Sequence, residues 1–464
     1  MSEFYEVKCF KELPDAHKIA VPVPGSKSIT NRALLLAAMA EGTSVLRGCM
    51  ASEDAKHFLE CIHTLGFPVS VAPASAELGQ EISINKDITI TGFGGNIPVK
   101  KAEIYVGSAG TAARFLVAML ALSDGEYIVR SSEQMQKRPM QPLIDALQDA
   151  GAVVVCMEEA GHFPMKIFGR ELIRMKTEQG EVPAEETIRF KVNIDQSSQF
   201  LSALLIAAGT MKQPVEIEVE GSHGLSYVEM TAQMLEHFGI EVEKTENDGK
   251  LAYKLPGNQA YRAGTYDVEA DMSAAAYFYA LAAILGARIS VNGVRRNMLQ
   301  GDTAFLKVLE QMGCIISGGV FGQDLCVAGP NNGRLKGNYT FDMSAFSDQA
   351  LTLAAIAPYA DGPITITGID HIRLQECDRI KAIVENLSAL GVTVEEHDNQ
   401  VTIHPCAMHG AELQTYEDHR VAMAFALCGL RTEGVKILDP DCCKKTFAEY
   451  FTILDSVIAK LQKK

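Results

Sequence analysis

The 464-residue chain contains no tryptophan, and aromatic residues make up only 7% of it. The missing tryptophan excludes no class of function. Its 11 cysteines include no Cys-x-x-Cys pair, which removes the usual zinc and dithiol redox patterns. An odd, scattered set reads as reduced and mostly buried thiols. Long apolar runs are also missing. The longest apolar helical runs, such as 111–122 (TAARFLVAMLAL) with Arg114 in it, fall short of the roughly 20 residues a membrane span needs. The first 20 residues lack a basic stretch followed by an apolar one, so no secretory signal is expected. These absences predict a soluble, cytoplasmic protein with no membrane partner. Positive charge is scarce as well: 42 Lys and Arg stand against 58 Asp and Glu, a net charge of −16. Such a surface repels phosphate backbones, so nucleic acid is not an expected partner. An anionic ligand must be held by a local basic cluster working against the global field.

The remaining composition, 47% hydrophobic and 22% charged, is that of a globular protein. Its length suggests two or three domains. One pattern recurs six times, starting near Gly25, Gly107, Gln196, Asp271, Asp342 and Glu417. A polar helix start leads into an alanine-rich apolar helix, a glycine-containing turn and a β-rich strand. In the first five copies a second, amphipathic helix follows, at 53–66, 141–151, 227–239, 302–313 and 376–391. Each ends in glycine, read as a left-handed cap, and runs into a strand. Residues 447–461 play this part in the sixth copy without the glycine. The unit is β-α-β-α-β-β-like and about 75–85 residues long. The first helix of each unit should be internal and the second half exposed. Six units predict two lobes of three: residues 24–266, and residues 1–21 plus 268–464. The crossovers are expected near 22–24 and 264–270, with the active site in the cleft between the lobes.

Chemistry should sit at the helix starts, where free amides and the positive dipole end attract anions. Gly25–Arg32 (GSKSITNR) offers a glycine turn, two serines, Lys27 and Arg32. It lacks the upstream glycine of a P-loop. Gly107–Arg114 (GSAGTAAR) supplies two glycines and Thr111, and Ser197, Ser198 and Gln199 open another helix. In the second half, Asp348 lies within an apolar stretch, where a carboxylate must be paired or functional. Glu376 and Arg379, three apart in RLQECDR, share a face. His419–Arg420 and Lys444–Lys445 precede two more helices. His404, Cys406 and His409 look like metal ligands but lack a distant fourth, so no metal is expected. GGVFG at 318–322 lacks the strand–helix context of a dinucleotide site.

In order along the chain, GSKSITNRALLLAAMAEGTSVL, GSAGTAARFL, KRPM, SSQFLSALL, SDQALTLAAIA, ECDRI, EDHRVAMAFAL and KTFAEYF resemble the 5-enolpyruvylshikimate-3-phosphate (EPSP) synthase family. The match spans nearly the whole chain. It implies the two-domain, inside-out α/β barrel of the enolpyruvyl transferases, with three βαβαββ repeats per domain. It also implies a metal-free and cofactor-free reaction. The 5-hydroxyl of shikimate 3-phosphate attacks C2 of phosphoenolpyruvate while C3 is protonated, and the tetrahedral intermediate then loses phosphate. The implied catalytic residues are Lys27, Asp348 and Glu376. Shikimate 3-phosphate would be held by Lys27, Ser28, Arg32, Thr111, Ser197, Ser198, Gln199, Ser222, Tyr227, Asp348 and Gln375. Phosphoenolpyruvate would meet Lys27, Gly110, Arg138, Gln199, Arg379, Arg420 and Lys445. The two small molecules are the expected partners, and the expected assembly is a monomer.

The chain departs from the family pattern in four places. Ser108 replaces a frequent asparagine and Gln134 a frequent arginine, while His371 and Gln375 stand at a substrate-binding asparagine and lysine. Arg373 is a candidate to compensate. The rival enolpyruvyl transferase that acts on UDP-N-acetylglucosamine opens with Ala-Lys-Asn and uses a loop Cys or Asp as its acid. Here the opening is Gly25-Ser26-Lys27-Ser28, and no Cys sits in a comparable loop near 105–140. A non-catalytic phosphometabolite-binding protein would not need Lys27, Asp348, Glu376, Arg379, Arg420 and Lys445 together. An RNA-end-processing relative conflicts with the net charge.

Overall fold

A computed structural model describes residues 4–15, 17–75, 84–176, 186–320 and 322–463. The chain divides into two units, Lys27–Val268 and Met1–Ser26 with Glu269–Lys464. The first boundary lies between Ser26 and Lys27, not at 22–24 as expected. The reason is local: the Ser26 amide bonds to the Glu269 carbonyl and the Asp271 amide to the Pro24 carbonyl, tying 24–26 to the discontinuous unit.

Among the described residues the repeat appears as six small sheets. In the continuous unit, Lys101–Tyr105, Glu126–Arg130, Met165–Phe168 and Val153–Cys156 form one four-stranded sheet in that spatial order. The first two strands are parallel and the others antiparallel. The chain therefore runs strand, inner helix, parallel strand, outer helix, then a hairpin that inserts its second strand beside the parallel pair. Ile188–Leu255 repeats this order, as does Tyr339–Ile403 in the discontinuous unit. Three sheets are completed by strands from beyond their own repeat. Thr265–Asp267 pairs parallel to Glu41–Met50, and Lys18–Val21 pairs parallel to Arg288–Val291. The sixth sheet has three strands, with Phe4–Glu6 antiparallel to Lys436–Leu438.

The inner helices form the core of each unit. All 14 residues of Met272–Leu285 and all 12 of Gly110–Ala121 are buried. A helix apolar on every side has nowhere else to go. Frequent alanines (MSAAAYFYALAAIL) leave little side-chain bulk between neighbours. The outer helices keep one wet face. Five of them end in the predicted left-handed glycine: Gly66, Gly151, Gly239, Gly313 and Gly391 all have φ between 86° and 101°. In each, the amide after the glycine bonds to the carbonyl five residues back, as in Phe67 to Ile62 and Val392 to Leu387. That is the Schellman closure, and the positive φ it needs is cheap only for glycine.

Candidate active site

In the continuous unit, three inner helices bring their N-terminal turns together: Lys27–Met39, Gly110–Ala121 and Gln199–Ala208. Side chains tie the turns to one another. Asn31 donates to Thr111 Oγ1 at 3.0 Å, and Arg114 donates to Gln199 Oε1 at 2.6 Å. Arg32 is fully buried. Its Nε donates to Thr231 Oγ1 at 2.7 Å, and its terminal nitrogens bond to Ser28 O, Ser202 Oγ and Tyr227 O. Among the described residues no carboxylate pairs with it, and its burial lowers its pKa to about 10, which leaves it charged at neutral pH. Lys27 is partly exposed, and its Nζ sits 2.8 Å from Asp54 Oδ2, a carboxylate only 2% exposed. Neither Ala109 nor Ser198, the caps of the other two helices, makes a side-chain capping bond. Ser197 Oγ accepts from the Gln199 amide at 3.3 Å.

Gly110 is the first residue of its helix. A Cβ there would stand 2.6 Å from Arg138 Nη1 and 2.8 Å from Arg114 Nη1. The missing side chain thus makes room for two guanidinium groups. Arg138 is buried, and its Nε has no hydrogen-bond partner among the described residues. Ser198 lies against Gly224, whose Cβ would come within 2.7 Å of its hydroxyl. This brings the cap of the outer helix Leu225–His237, which carries Tyr227, beside Ser198. Ser222 is exposed in the loop two residues before Gly224. Gln134, in the short helix Glu133–Gln136, and Ser108 are half-buried.

The discontinuous unit holds a different cluster, centred on Arg379, which is 1% exposed. Its Nε donates to Asp418 Oδ2 at 2.8 Å, its Nη1 to Asp348 Oδ1 at 3.0 Å and its Nη2 to Glu376 Oε2 at 2.9 Å. Gln375 Oε1 also accepts from Nη1. Arg420 reaches the other oxygen of Asp348 at 2.8 Å, and Lys445 Nζ lies 3.8 Å from Glu376 Oε1. Three cations and three carboxylates are thus paired with one another around the buried Arg379. Burial opposes ionisation of Asp348, but Arg420 and Arg379 outweigh it and hold its carboxyl below the usual range. Burial also works against the Arg379 charge, and the surrounding carboxylates more than restore it, raising its pKa.

Asp348 sits in the single-turn helix Ser347–Gln349, directly ahead of Ala350–Ile356. Asp418 caps His419–Gly429 by accepting from the Arg420 amide at 2.8 Å, and so links the helix start to Arg379. His371 is buried, with Nε2 2.8 Å from Ser347 Oγ. Arg373 turns elsewhere: it pairs with Asp378 at 3.1 Å and Glu396 at 2.6 Å. Its fork is committed to two carboxylates outside the cluster. His404 pairs with Glu395 at 2.9 Å. No metal-binding group of three or more His, Cys, Asp or Glu occurs among the described residues.

Sequence reasoning missed Asp54 and Asp418. Asp418 had a legible signal, since an acidic residue ahead of HRVAMAFAL is a helix cap. Asp54 had none beyond its place in a first turn, where acids are common.

Each unit therefore collects groups suited to one part of a chemistry. The continuous unit offers amide ends, hydroxyls and cations for phosphate or carboxylate. The discontinuous unit offers carboxylates set among cations, able to move protons. The family model of EPSP synthase (3-phosphoshikimate 1-carboxyvinyltransferase) matches residues 14–454. A 3-phosphoshikimate 1-carboxyvinyltransferase from a Nostoc species is 42% identical, covering 93% of this chain and 95% of the relative. A 3-phosphoshikimate 1-carboxyvinyltransferase 2 from Halalkalibacterium halodurans is 37% identical over 98% of this chain and 95% of its own. A solved EPSP synthase from Acinetobacter baumannii shares the fold, with a TM-score of 0.74 over 97% of both chains at 24% identity. The likeness extends to the two-domain enolpyruvyl transferase architecture. The chain belongs to the EPSP synthase family.

Proposed function

We propose that the chain transfers the enolpyruvyl group of phosphoenolpyruvate to the 5-hydroxyl of shikimate 3-phosphate, and that both units contribute residues to this one reaction. The observation that carries the reading is Asp348, held between Arg379 and Arg420 and one guanidinium away from Glu376. A base and a second proton carrier are thus set around cations suited to the donor's phosphate and carboxylate.

Asp348 takes the proton of the 5-hydroxyl as that oxygen bonds to C2 of phosphoenolpyruvate. C3 gains a proton, and Glu376 serves there. In the second step C3 loses a proton, the C2–phosphate bond breaks and the double bond returns. The products are 5-enolpyruvylshikimate 3-phosphate and inorganic phosphate. Arg379, Arg420, Lys445, Lys27, Arg138, Gln199 and the space at Gly110 serve the donor. Anionic donor oxygens would draw Arg379 and Arg420 away from Asp348. That would weaken the interaction holding its carboxyl low and make it a better base when it is needed. Ser28, Arg32, Thr111, Ser197, Ser198, Gln199, Ser222, Tyr227 and Gln375 serve shikimate 3-phosphate, with Lys27 reaching both substrates. Gln375 replaces a positive charge with a neutral amide that is bonded to Arg379, so less of the acceptor's charge is met there. Further parts of the proposal are a monomer at work in the cytoplasm, in the pathway to chorismate and aromatic amino acids. No helix among the described residues is long and apolar enough to cross a membrane.

The test is phosphate release from phosphoenolpyruvate without added metal, with shikimate 3-phosphate or UDP-N-acetylglucosamine as acceptor. Release with shikimate 3-phosphate alone, lost in Asp348→Ala, is the expected result. Release with the nucleotide sugar would move the chain to the rival activity. Binding of shikimate 3-phosphate without turnover would make it a binding protein.

A further inference from the structure

Asp302 is a buried carboxylate in the discontinuous unit with no part in the reaction described above. It lies in the 3-10 turn Gly301–Ala304 ahead of the outer helix Phe305–Gln311 and is 3% exposed. Its Oδ1 accepts a 2.9 Å hydrogen bond from Nε2 of Gln349, itself fully buried. Gln349 directly follows Asp348, and its Oε1 accepts the Thr352 hydroxyl at 3.1 Å. The Gln349 amide is therefore fixed at both ends and ties the turn carrying Asp348 to the turn carrying Asp302. Three charged groups act on Asp302 through their fields: Asp348, Arg420 and Asp271. A buried carboxylate within the fields of two others and of one guanidinium costs stability, so packing does not explain it.

We propose that Asp302 is a positioning residue for the enolpyruvyl transfer: through Gln349 it fixes the turn that carries Asp348, and its negative charge makes Asp348 a stronger proton acceptor. The inference rests on the reading of Asp348 as the base. Burial first, and then the charge of Asp348, push the Asp302 carboxyl up to about 6, while Arg420 pulls the other way. The influence is mutual: an ionised Asp302 raises the proton affinity of Asp348. It opposes the two arginines, which would otherwise leave Asp348 a poor base. Asp302 keeps its own proton state during turnover, and the hydroxyl proton goes to Asp348. Below about pH 6 Asp302 becomes neutral, and the rate should fall to a lower plateau.

Two measurements test this. The first is a carboxyl 13C NMR titration of the ligand-free chain, with the Asp302 signal assigned by its loss in Asp302→Asn. In Asp348→Asn the Asp302 midpoint should move down by about one pH unit or more. A midpoint that stays in place overturns the proposal. The second is the pH–rate profile of phosphate release. Asp302→Asn should lower kcat by roughly threefold to tenfold, leave both KM values within about twofold, and remove the inflection near pH 6. Asp302→Glu should restore that inflection. Retention of the inflection in Asp302→Asn, or equal losses in the two variants, makes Asp302 merely structural and overturns the proposal. A parent chain that releases no phosphate with this substrate pair overturns the enzymatic reading and this proposal with it. A parent chain that turns over while the Asp302 midpoint is unmoved overturns the proposal alone.

Discussion

The two units have the same repeat but treat charge at their inner helix ends in opposite ways. In the continuous unit, Ala109 and Ser198 leave the helix ends without a side-chain cap, and hydroxyls, amides and Lys27 surround them. In the discontinuous unit, Asp271 and Asp418 cap two of the three inner helices, and Asp348, Glu376 and Asp418 are answered by Arg379, Arg420 and Lys445. An uncapped helix end is an anion site, whereas one already holding a carboxylate cannot be. The difference shows how one scaffold, repeated, can supply two chemistries. The first unit is suited to holding phosphate and carboxylate, and the second to moving protons.

The largest effect should separate these roles. Asp348→Asn is expected to lower the rate of phosphate release by roughly 10²–10⁴-fold. Ser198→Ala in the other unit is expected to raise KM for shikimate 3-phosphate with little change in kcat. Equal losses of kcat in steady-state assays of both would break the division.

Stability should differ in the same sense. Arg379→Met leaves one buried carboxylate, Asp418, and two half-buried ones, Asp348 and Glu376, without their shared counterion and is expected to cost about 3–5 kcal/mol in urea unfolding. Arg32→Met removes a buried cation that has hydroxyl and carbonyl partners only, and is expected to cost less, about 1–3 kcal/mol. The reverse order would show that the charge cluster is not what secures its unit.

A pH series sharpens the point. The Asp302 carboxyl is raised from 3.8 to about 6 in the folded state, so the fold binds that proton more tightly than the unfolded chain does. Its contribution is complete below about pH 4 and is lost as pH rises through about 6. Relative to Asp302→Asn, the parent chain should lose up to about 3 kcal/mol over that window. A stability difference that does not vary with pH would remove Asp302 from the account.

Gly110→Ala places a methyl group against Arg138 and Arg114. It is expected to weaken phosphoenolpyruvate binding by roughly tenfold, while shikimate 3-phosphate binding in calorimetry changes less. The smallest effects belong to the outer-helix caps. Gly313→Ala meets nothing closer than 3.6 Å, so it should cost about 1 kcal/mol through φ alone. Gly66→Ala also meets Pro98 Cβ at 2.9 Å and should cost more in thermal unfolding.

Much of the fold was legible because it repeats. The apolar helix, the amphipathic helix and the closing glycine each carry a local physical signature, and six copies make a weak signal strong. The exchange of strands between repeats was less legible. Lys18–Val21 and Thr265–Asp267 are short, and nothing in KIAV or TYD says which sheet they complete. Among the candidate residues, Lys27, Asp348, Glu376, Arg379 and Arg420 stood out as charged residues beside apolar helices. Arg373, in the same helix start as Arg379, stood out equally and points elsewhere. Residue type alone cannot separate them, because the difference is only in which carboxylates lie within reach.

The chain's own residues thus determined the repeat, the inner and outer helices and their caps, since each depends on interactions between near neighbours in sequence. Partnership was decided only in three dimensions. Asp54 faces Lys27, Asp418 both caps a helix and clamps Arg379, and Asp302 reaches Asp348 through Gln349. These contacts join residues 27 to 54, 379 to 418 and 302 to 349, and burial makes each charge depend on its partner. Electrostatic energy at such sites depends on distance and desolvation, and neither is written in the order of the residues.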